Sequence, residues 1–414
     1  MNRLPPRRAL LGHRRFTTGF GAFDEGWPRA GVPRRARTVA SSTTSAASQS
    51  RGAFAGDVAE TGVHQGELRV SAGSGTAPST VRRLQPALPG HVRRLLAFPT
   101  STVHPYADLP ALLEPGDLVV VNDAATLPAS LTGQTAAGEA IEVRLAGRRA
   151  DGDWETVAFG AGDWRTDTDL RPNPPSLRTG DALRFGPLVA TVVAVPHARR
   201  PTLRFVATDD DFWRLLYAVG RPVQYRHLPA ALDVWDVQTP FSGPPWAVEP
   251  PSAGLALTLD VLAGLRARGV DVATITEAAG LSATGDAALD AALPFAERYA
   301  VPAATWAKVQ ACRGRVIAVG TSVVRALETV ARTGELAGWT TLKLSAANLV
   351  RVVSGLVSGV HAPGTSHLGL IEAMLAGNGL PEWSEMGEEA AALGLRDHEF
   401  GDGVLILGTP HPGQ

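Results

Sequence analysis

The chain is nearly free of cysteine: Cys312 is the only one in 414 residues. No disulfide can form within it, and a cysteine-based metal site is excluded. No apolar run approaches the ~18 residues that a membrane-spanning helix needs. A glycine-rich dinucleotide fingerprint, a phosphate loop and a metal-spaced histidine pair are also missing. His361 and His367 are separated by a turn, which is poor spacing for ligands on one helix face. Net charge is close to nil, with 39 Lys and Arg against 40 Asp and Glu. Bulk charge therefore neither proposes nor excludes a nucleic acid, and any such partner would need a local basic patch. The expected setting is soluble and cytoplasmic, with no membrane and no metal.

What is present has the length for two or three domains. Residues 1–51 carry ten Arg against Asp24 and Glu25, amid Ser, Thr, Gly, Ala and Pro. Nothing there is periodic, so residues 1–80 read as a disordered tail. Such a segment suits a non-folding extension, a targeting peptide or a nucleic-acid arm. Order begins near Val81. Asp108–Asp117 reads as a short helix ended by Pro115 and Gly116, and Leu118–Val121 as a buried strand closed by Asn122 and Asp123.

Residues 128–207 change character. Short strands are expected at Ala140–Leu145, Trp154–Phe159, Ala182–Phe185, Val189–Val195 and Thr202–Val206, with Gly- and Pro-rich turns between them. Their even spacing without helices suggests a small antiparallel barrel. Helix–strand alternation resumes with a helix over Asp209–Val219. A Pro-rich stretch over 221–253 carries Tyr225, His227, Trp235 and Trp246. Thr258 is expected to cap a helix over 259–268, Val270–Ile275 to form a strand, and Ala303–Ala311 a helix. Leu356–His361, a Pro/Gly turn over Ala362–Ser366, a helix from His367 and a last strand at Val404–Leu407 complete the pattern. The fold class is thus α/β: a mainly parallel-sheet domain over 81–127 and 208–410, interrupted by an inserted antiparallel β-barrel at 128–207.

The segment 313–330 organises the rest. Val316–Val319 is the apolar run of a strand buried on both faces. Gly320 turns the backbone, and Thr321 or Ser322 is placed to cap the next helix. Arg325 and Glu328 are three apart and can share a face as a surface salt bridge. Free N–H groups collect where parallel strands end and helices begin, so this turn is also a candidate receiver for a polar ligand. Arg325 is then suited to grip a carboxylate or phosphate.

Several blocks in order resemble one family, the S-adenosylmethionine:tRNA ribosyltransferase-isomerases of queuosine biosynthesis. They are Leu112-Leu-Glu-Pro-Gly-Asp-Leu-Val-Val-Val-Asn-Asp-Ala-Ala-Thr-Leu-Pro-Ala129, Ala253-Gly-Leu-Ala-Leu-Thr258, Val319-Gly-Thr-Ser-Val-Val-Arg-Ala-Leu-Glu328, Gly359-Val-His-Ala-Pro-Gly-Thr-Ser366 and Phe400-Gly-Asp402. The resemblance implies an α/β domain interrupted by a small barrel. It also implies transfer and isomerisation of the ribosyl unit of S-adenosylmethionine onto a deazaguanine base in tRNA, with adenine and methionine leaving. S-adenosylmethionine is a co-substrate, and no metal or redox cofactor is implied.

That chemistry needs a base for the ribose proton next to the sulfonium, a grip on the methionine carboxylate and help for departing adenine. On matched positions, His361, Glu297 and Asp402 are the catalytic candidates. Gly320, Thr321, Ser322, Arg325, Glu328, Asn122 and Gly254 are the substrate-binding candidates. Arg82, Arg83, Arg93, Arg94, Arg148, Arg149, Arg199 and Arg200 are available to tRNA phosphates or stand as scattered surface charges. The chain departs from the family pattern at several polar positions, as a divergent paralogue would. Ala256 stands in place of a His, the His-Val-Gly-x-Gly-Thr-Phe loop reads Ala278-Ala-Gly-Leu-Ser-Ala-Thr284, and Val323 and Val324 replace Ser and Thr. Two alternatives follow: binding of S-adenosylmethionine or another nucleoside for a different small-molecule transfer, and a non-catalytic binding protein.

Overall fold

The computed structural model describes residues 85–410, apart from 89, 346 and 362–367. The tail expected over 1–80, Arg82, Arg83, the turn at 362–366 and His367 lie outside the described residues.

The apolar runs do what their composition demands. Leu118–Asn122, Asp271–Glu277, Val316–Val319 and Gly355–Gly359 pair in parallel as the centre of a nine-stranded sheet. Antiparallel strands Glu297–Ala300 and Ala337–Thr340 extend one side. Gly403–Leu407, Arg94–Phe98 and Thr102–Pro105 extend the other. Side chains alternate across the sheet, as the two-residue period of a strand requires. Val120, Ile275, Ala318 and Leu356 pack beneath the helices Thr321–Thr333, Leu368–Gly377 and Trp383–Ala392. Val119, Val121, Ile317, Val319 and Val357 meet Leu109, Val261 and Leu265 on the opposite face. Each fully buried Val, Leu or Ile among them contributes about 1.5–3 kcal/mol. Helices on both faces oblige a central strand to be apolar throughout.

The inserted unit is a closed six-stranded antiparallel barrel running from Ser130–Thr135 to Arg200–Phe205. Leu131, Val143, Ala158, Leu183 and Leu203 share the inward face of its strands and pack into one core. The chain enters and leaves side by side: Ser130 and Arg221 exchange backbone hydrogen bonds of 2.8 and 2.9 Å. The α/β class with an inserted barrel therefore holds.

Local differences have local causes. Ser130–Thr135 was not among the expected strands; Ser-Leu-Thr-Gly-Gln-Thr offers one apolar residue, yet the barrel cannot close without it. The helix expected over Asp108–Asp117 shrinks to a 3-10 turn at Tyr106–Asp108 and one helical turn at Leu109–Leu112, with Leu113 already extended. The strand expected at Leu356–His361 stops at Gly359, leaving His361 beyond its end. Asp117 forms a two-pronged ion pair with Arg315, accepting from Nε at 3.1 Å and Nη2 at 2.6 Å. Asp117 also accepts from the Arg315 backbone N at 2.8 Å. This couples the starts of two neighbouring strands, so Asp117 sits on the sheet edge opposite the strand ends considered next. Among the described residues no helix is long and apolar enough to cross a membrane.

Candidate active site

The four parallel strands end together at Asn122, Glu277, Val319 and Gly359. Gly320 follows at φ 91°, a left-handed conformation open to glycine at little cost. Its N–H donates to Val357 O at 2.8 Å. Gly320 itself takes the N-cap position and has no side chain to cap with. Thr321 and Ser322 are therefore the first helical residues, a correction to the capping expected of them. Asn122 spans the gap between strand and helix. Its Nδ2 donates to Glu277 O at 2.9 Å and to Ser322 Oγ at 3.3 Å. Its Oδ1 accepts from Glu277 N at 2.9 Å and Ala124 N at 3.0 Å.

The Thr321–Thr333 helix is buried from Val323 to Val330, charged residues included. The expected Arg325–Glu328 surface pair is corrected accordingly: each side chain finds partners in other elements. Arg325 forms an ion pair with Glu297 and donates from Nε to Leu342 O at 3.1 Å. Glu297 also accepts from Gly280 N at 2.8 Å. Burial lowers the Arg325 pKa, opposed by the field of Glu277. Glu328 forms an ion pair with Arg332 and accepts from the backbone N of Arg351, Val352 and Val353 at 2.8–3.0 Å. With its carboxylate enclosed, Glu328 holds the 351–353 segment.

Asp402 is engaged within the chain. Four donors saturate its buried carboxylate: His91 Nε2 at 3.0 Å, Arg94 N at 2.6 Å, Arg94 Nη2 at 2.8 Å and Arg396 N at 2.9 Å. Burial would raise its pKa, but these bonds, Arg94 foremost, hold it below the usual value. No acceptor site remains for a ribose hydroxyl. Gly254 is buried in a 3-10 turn, Ser252–Ala256. A Cβ there would lie 3.0 Å from Phe241, and the neighbouring Ala253 packs against the Gly320 turn. Gly254 therefore brings that turn close to the strand ends, by fit rather than by polar contact.

His361 lies at the same edge but in other company. Its Nε2 is 3.0 Å from Ser358 Oγ, and its carbonyl accepts from Trp383 Nε1 at 3.0 Å. Three strand spacings, about 14 Å, separate the strand ends at Glu277 and Gly359. The structure thus brings together Asn122, Ser322, Arg325 and Glu297, and keeps His361 on the far side of the edge.

One residue was missed from sequence. Glu277 is fully buried at the last position of its strand, and neither carboxylate oxygen has a hydrogen-bond partner. Burial pushes its carboxyl up to about 8, against the opposing influence of Arg325 and Ser322. The Ser322 hydroxyl is close enough to temper the shift without reaching hydrogen-bond geometry. The only hint was a charge ending an apolar strand that was expected to stop at Ile275.

The aromatics of the 221–253 stretch mostly pack. The Tyr225 hydroxyl donates to Glu249, and the Arg298 guanidinium lies 3.9 Å over the Trp246 ring, while Trp235 is exposed. His227, His398 and Glu399 bring potential metal-ligating atoms within 4.8 Å of one another, and His227 and Glu399 are hydrogen-bonded at 2.7 Å. A cleft of about 290 Å³ lies between barrel and sheet, lined in part by Arg149, Arg200, Phe295 and Trp339. The arginines set out for phosphates are engaged within the chain: Arg93 with Glu399 O, Arg94 with Asp402, Arg148 with Asp209, Arg149 and Arg200 with Glu155, and buried Arg199 with Arg171 O.

Residues 76–406 match the family model described as queuosine biosynthesis protein. The S-adenosylmethionine:tRNA ribosyltransferase-isomerase of Thermosynechococcus vestitus is 33% identical over 343 residues, covering 78% of this chain and 91% of that protein. Its counterpart in Synechococcus elongatus is 34% identical, covering 76% and 89%. That of Anaeromyxobacter dehalogenans is 34% identical, covering 78% and 94%. A solved S-adenosylmethionine tRNA ribosyltransferase from Thermotoga maritima is 26% identical, covering 80% of this chain and 98% of that one, with a TM-score of 0.40. Matched over most of its length by the family model and by these relatives, the chain belongs to the queuosine biosynthesis protein family.

Proposed function

We propose that this protein is a cytoplasmic enzyme that transfers and isomerises the ribosyl unit of S-adenosylmethionine onto a deazaguanine base in tRNA. The names of its relatives support the reaction. The observation in the chain itself that carries the reading is the buried set of ionisable side chains Glu277, Arg325 and Glu297 by the ends of the parallel strands, where α/β sheets receive ligands. Buried charge is costly unless it is used, so a water-shielded cluster there marks a site.

Each required task has a candidate group. Arg325 offers five donors, and the described contacts use three of them, leaving capacity for the methionine carboxylate. The start of the Thr321–Thr333 helix adds the positive end of its dipole. Glu297 holds the guanidinium in place. Asn122 fixes the strand end against the helix, and His361 stands at the opposite side of the edge, within reach of a long, extended substrate.

The test is to incubate purified protein with radiolabelled S-adenosylmethionine and tRNA bearing or lacking the deazaguanine precursor. Adenine release that requires the precursor-bearing tRNA is expected. No adenine above the enzyme-free control, with active donor and acceptor, overturns the reading. A second reading, transfer to a small molecule without tRNA, is favoured by the alkyl side chains Ala256 and Ala278 where the family pattern has histidines. It predicts adenine release that does not depend on tRNA.

A further inference from the structure

We infer that Glu277 is the base that takes the proton from the ribose carbon beside the sulfonium. The inference rests on the proposed reaction and adds to it a residue that the sequence comparison did not nominate.

Elimination among the described acid and base groups of this edge leads there first, with half-buried Asp123 accepting from Thr276 Oγ1 at 2.6 Å. Asp402 and Glu328 have filled carboxylates. Glu297 is committed to Arg325 and Gly280 N. His361 is engaged with Ser358. Ala256 and Ala278 cannot move protons. Glu277 alone presents two buried oxygens with no hydrogen bond.

The surroundings then argue for use rather than accident. Asn122 grips the Glu277 backbone by both its N–H and its carbonyl. The side chain therefore leaves from a fixed point, as a reacting group should. Arg325 is near enough to act on Glu277 electrostatically, yet its ion pair is with Glu297. Glu277 is thus not a structural counter-charge, because that position is filled. A buried carboxylate without partners is costly to a fold. A bound sulfonium ligand would supply the missing favourable contact.

The step balances. The ribose C–H bond breaks and a Glu277 O–H bond forms. The electron pair stays on carbon next to the sulfonium, whose charge stabilises it. No oxidant, reductant or metal is needed. Glu277 ends as a neutral carboxylic acid, the form its dry surroundings prefer, so burial makes the carboxylate a stronger base. The charged and polar groups facing it are Arg325 and Ser322 from the helix and Asn122 from the adjoining strand.

The experiment compares wild type with Glu277→Gln and Glu277→Asp in three readouts: S-adenosylmethionine affinity by calorimetry, adenine release with precursor-bearing tRNA, and deuterium uptake at the ribose carbon in D2O. Glu277→Gln should bind the donor more weakly than wild type, having lost the contact to the sulfonium, but by far less than it loses in turnover. It should lose about 10²–10⁴-fold in both adenine release and deuterium uptake. Glu277→Asp should retain part of both. The wild-type kcat/KM should rise with pH toward a plateau, and the residual rate of Glu277→Gln should lack that rise. Wild-type turnover or an unchanged pH profile in Glu277→Gln overturns the inference and leaves the proposed reaction standing. So does a loss that lies in affinity alone. If wild type itself neither exchanges nor releases adenine, the proposed reaction falls and the role of Glu277 falls with it.

Discussion

Replacing Glu277 by glutamine should change how stability depends on pH, in the absence of any substrate. In the folded chain burial raises this carboxyl from 4.5 to about 8. Below pH 4.5 both folded and unfolded states hold the proton, and the group imposes no pH-dependent cost. Between those values the unfolded state releases the proton while the folded state keeps it. The unfolded state then binds fewer protons, so stability falls as pH rises, by about 1.4 kcal/mol per pH unit. The loss accumulated by pH 7 is on the order of 3 kcal/mol. Above pH 8 it levels off. Glutamine has the same shape and does not titrate, so its own burial cost shifts the curve without tilting it. The assay is urea denaturation of both proteins from pH 5 to 8, followed by tryptophan fluorescence. The gap between the curves should widen with pH in favour of Glu277→Gln, and saturating S-adenosylmethionine should narrow it, because a cation beside the carboxylate favours its charged form. Curves that stay parallel would show that Glu277 is hydrated or paired, and the case for a buried orphan carboxylate would fail.

Other residues give separate tests. Arg325→Met removes the cation shared by Glu297 and Glu277; about 3–5 kcal/mol of stability should be lost, along with S-adenosylmethionine binding by calorimetry, and unchanged values in both would refute the site. Glu328→Ala strips the acceptor from three consecutive backbone N–H groups and Arg332, so the melting temperature should drop sharply; lost donor affinity without lost stability would place Glu328 in the binding set. Asp402, held below the usual carboxylate range, contributes stability that is present above its unfolded pKa and lost as pH falls through the folded one. Asp402→Asn should therefore be less stable than wild type at neutral pH and converge with it in acid, as measured by acid denaturation.

The elements were legible where local signals were complete. Trp154–Phe159, Ala182–Phe185, Asp209–Val219 and Ala303–Ala311 stand at the bounds their apolar spacing and flanking turns suggested. Thr258 caps its helix as expected, accepting from Val261 N at 3.3 Å. The site was legible only in part. Arg325 and Asn122 could be marked as residues of interest from their place at a helix start and a strand end. Their partners could not, because Glu297 is distant in sequence from Arg325, and Glu277 is far from Asn122 in the chain. Burial of Glu277 is a tertiary fact that leaves no trace in local periodicity. The partners of Asp402 and Glu328 were hidden for the same reason: whether a carboxylate is free or filled depends on chain segments that arrive from elsewhere.

The block Pro115-Gly-Asp-Leu-Val-Val-Val-Asn122 shows why a motif match and a site are different things. One strand separates Asp117 from Asn122, about 16 Å of extended chain. At the near end Asp117 clamps Arg315 and sets the start of the neighbouring strand. At the far end Asn122 fixes Glu277 and Ser322. The same stretch therefore serves folding at one sheet edge and ligand geometry at the other. Among the described residues, Ala278 follows Glu277 directly and Val323 and Val324 pack into the core from the first turn of the Thr321–Thr333 helix, while the Asp117–Arg315 clamp holds the opposite edge. An apolar side chain would be more stable than the partnerless Glu277 carboxyl at this buried edge. Glu277 makes sense at that edge if something charged still binds there.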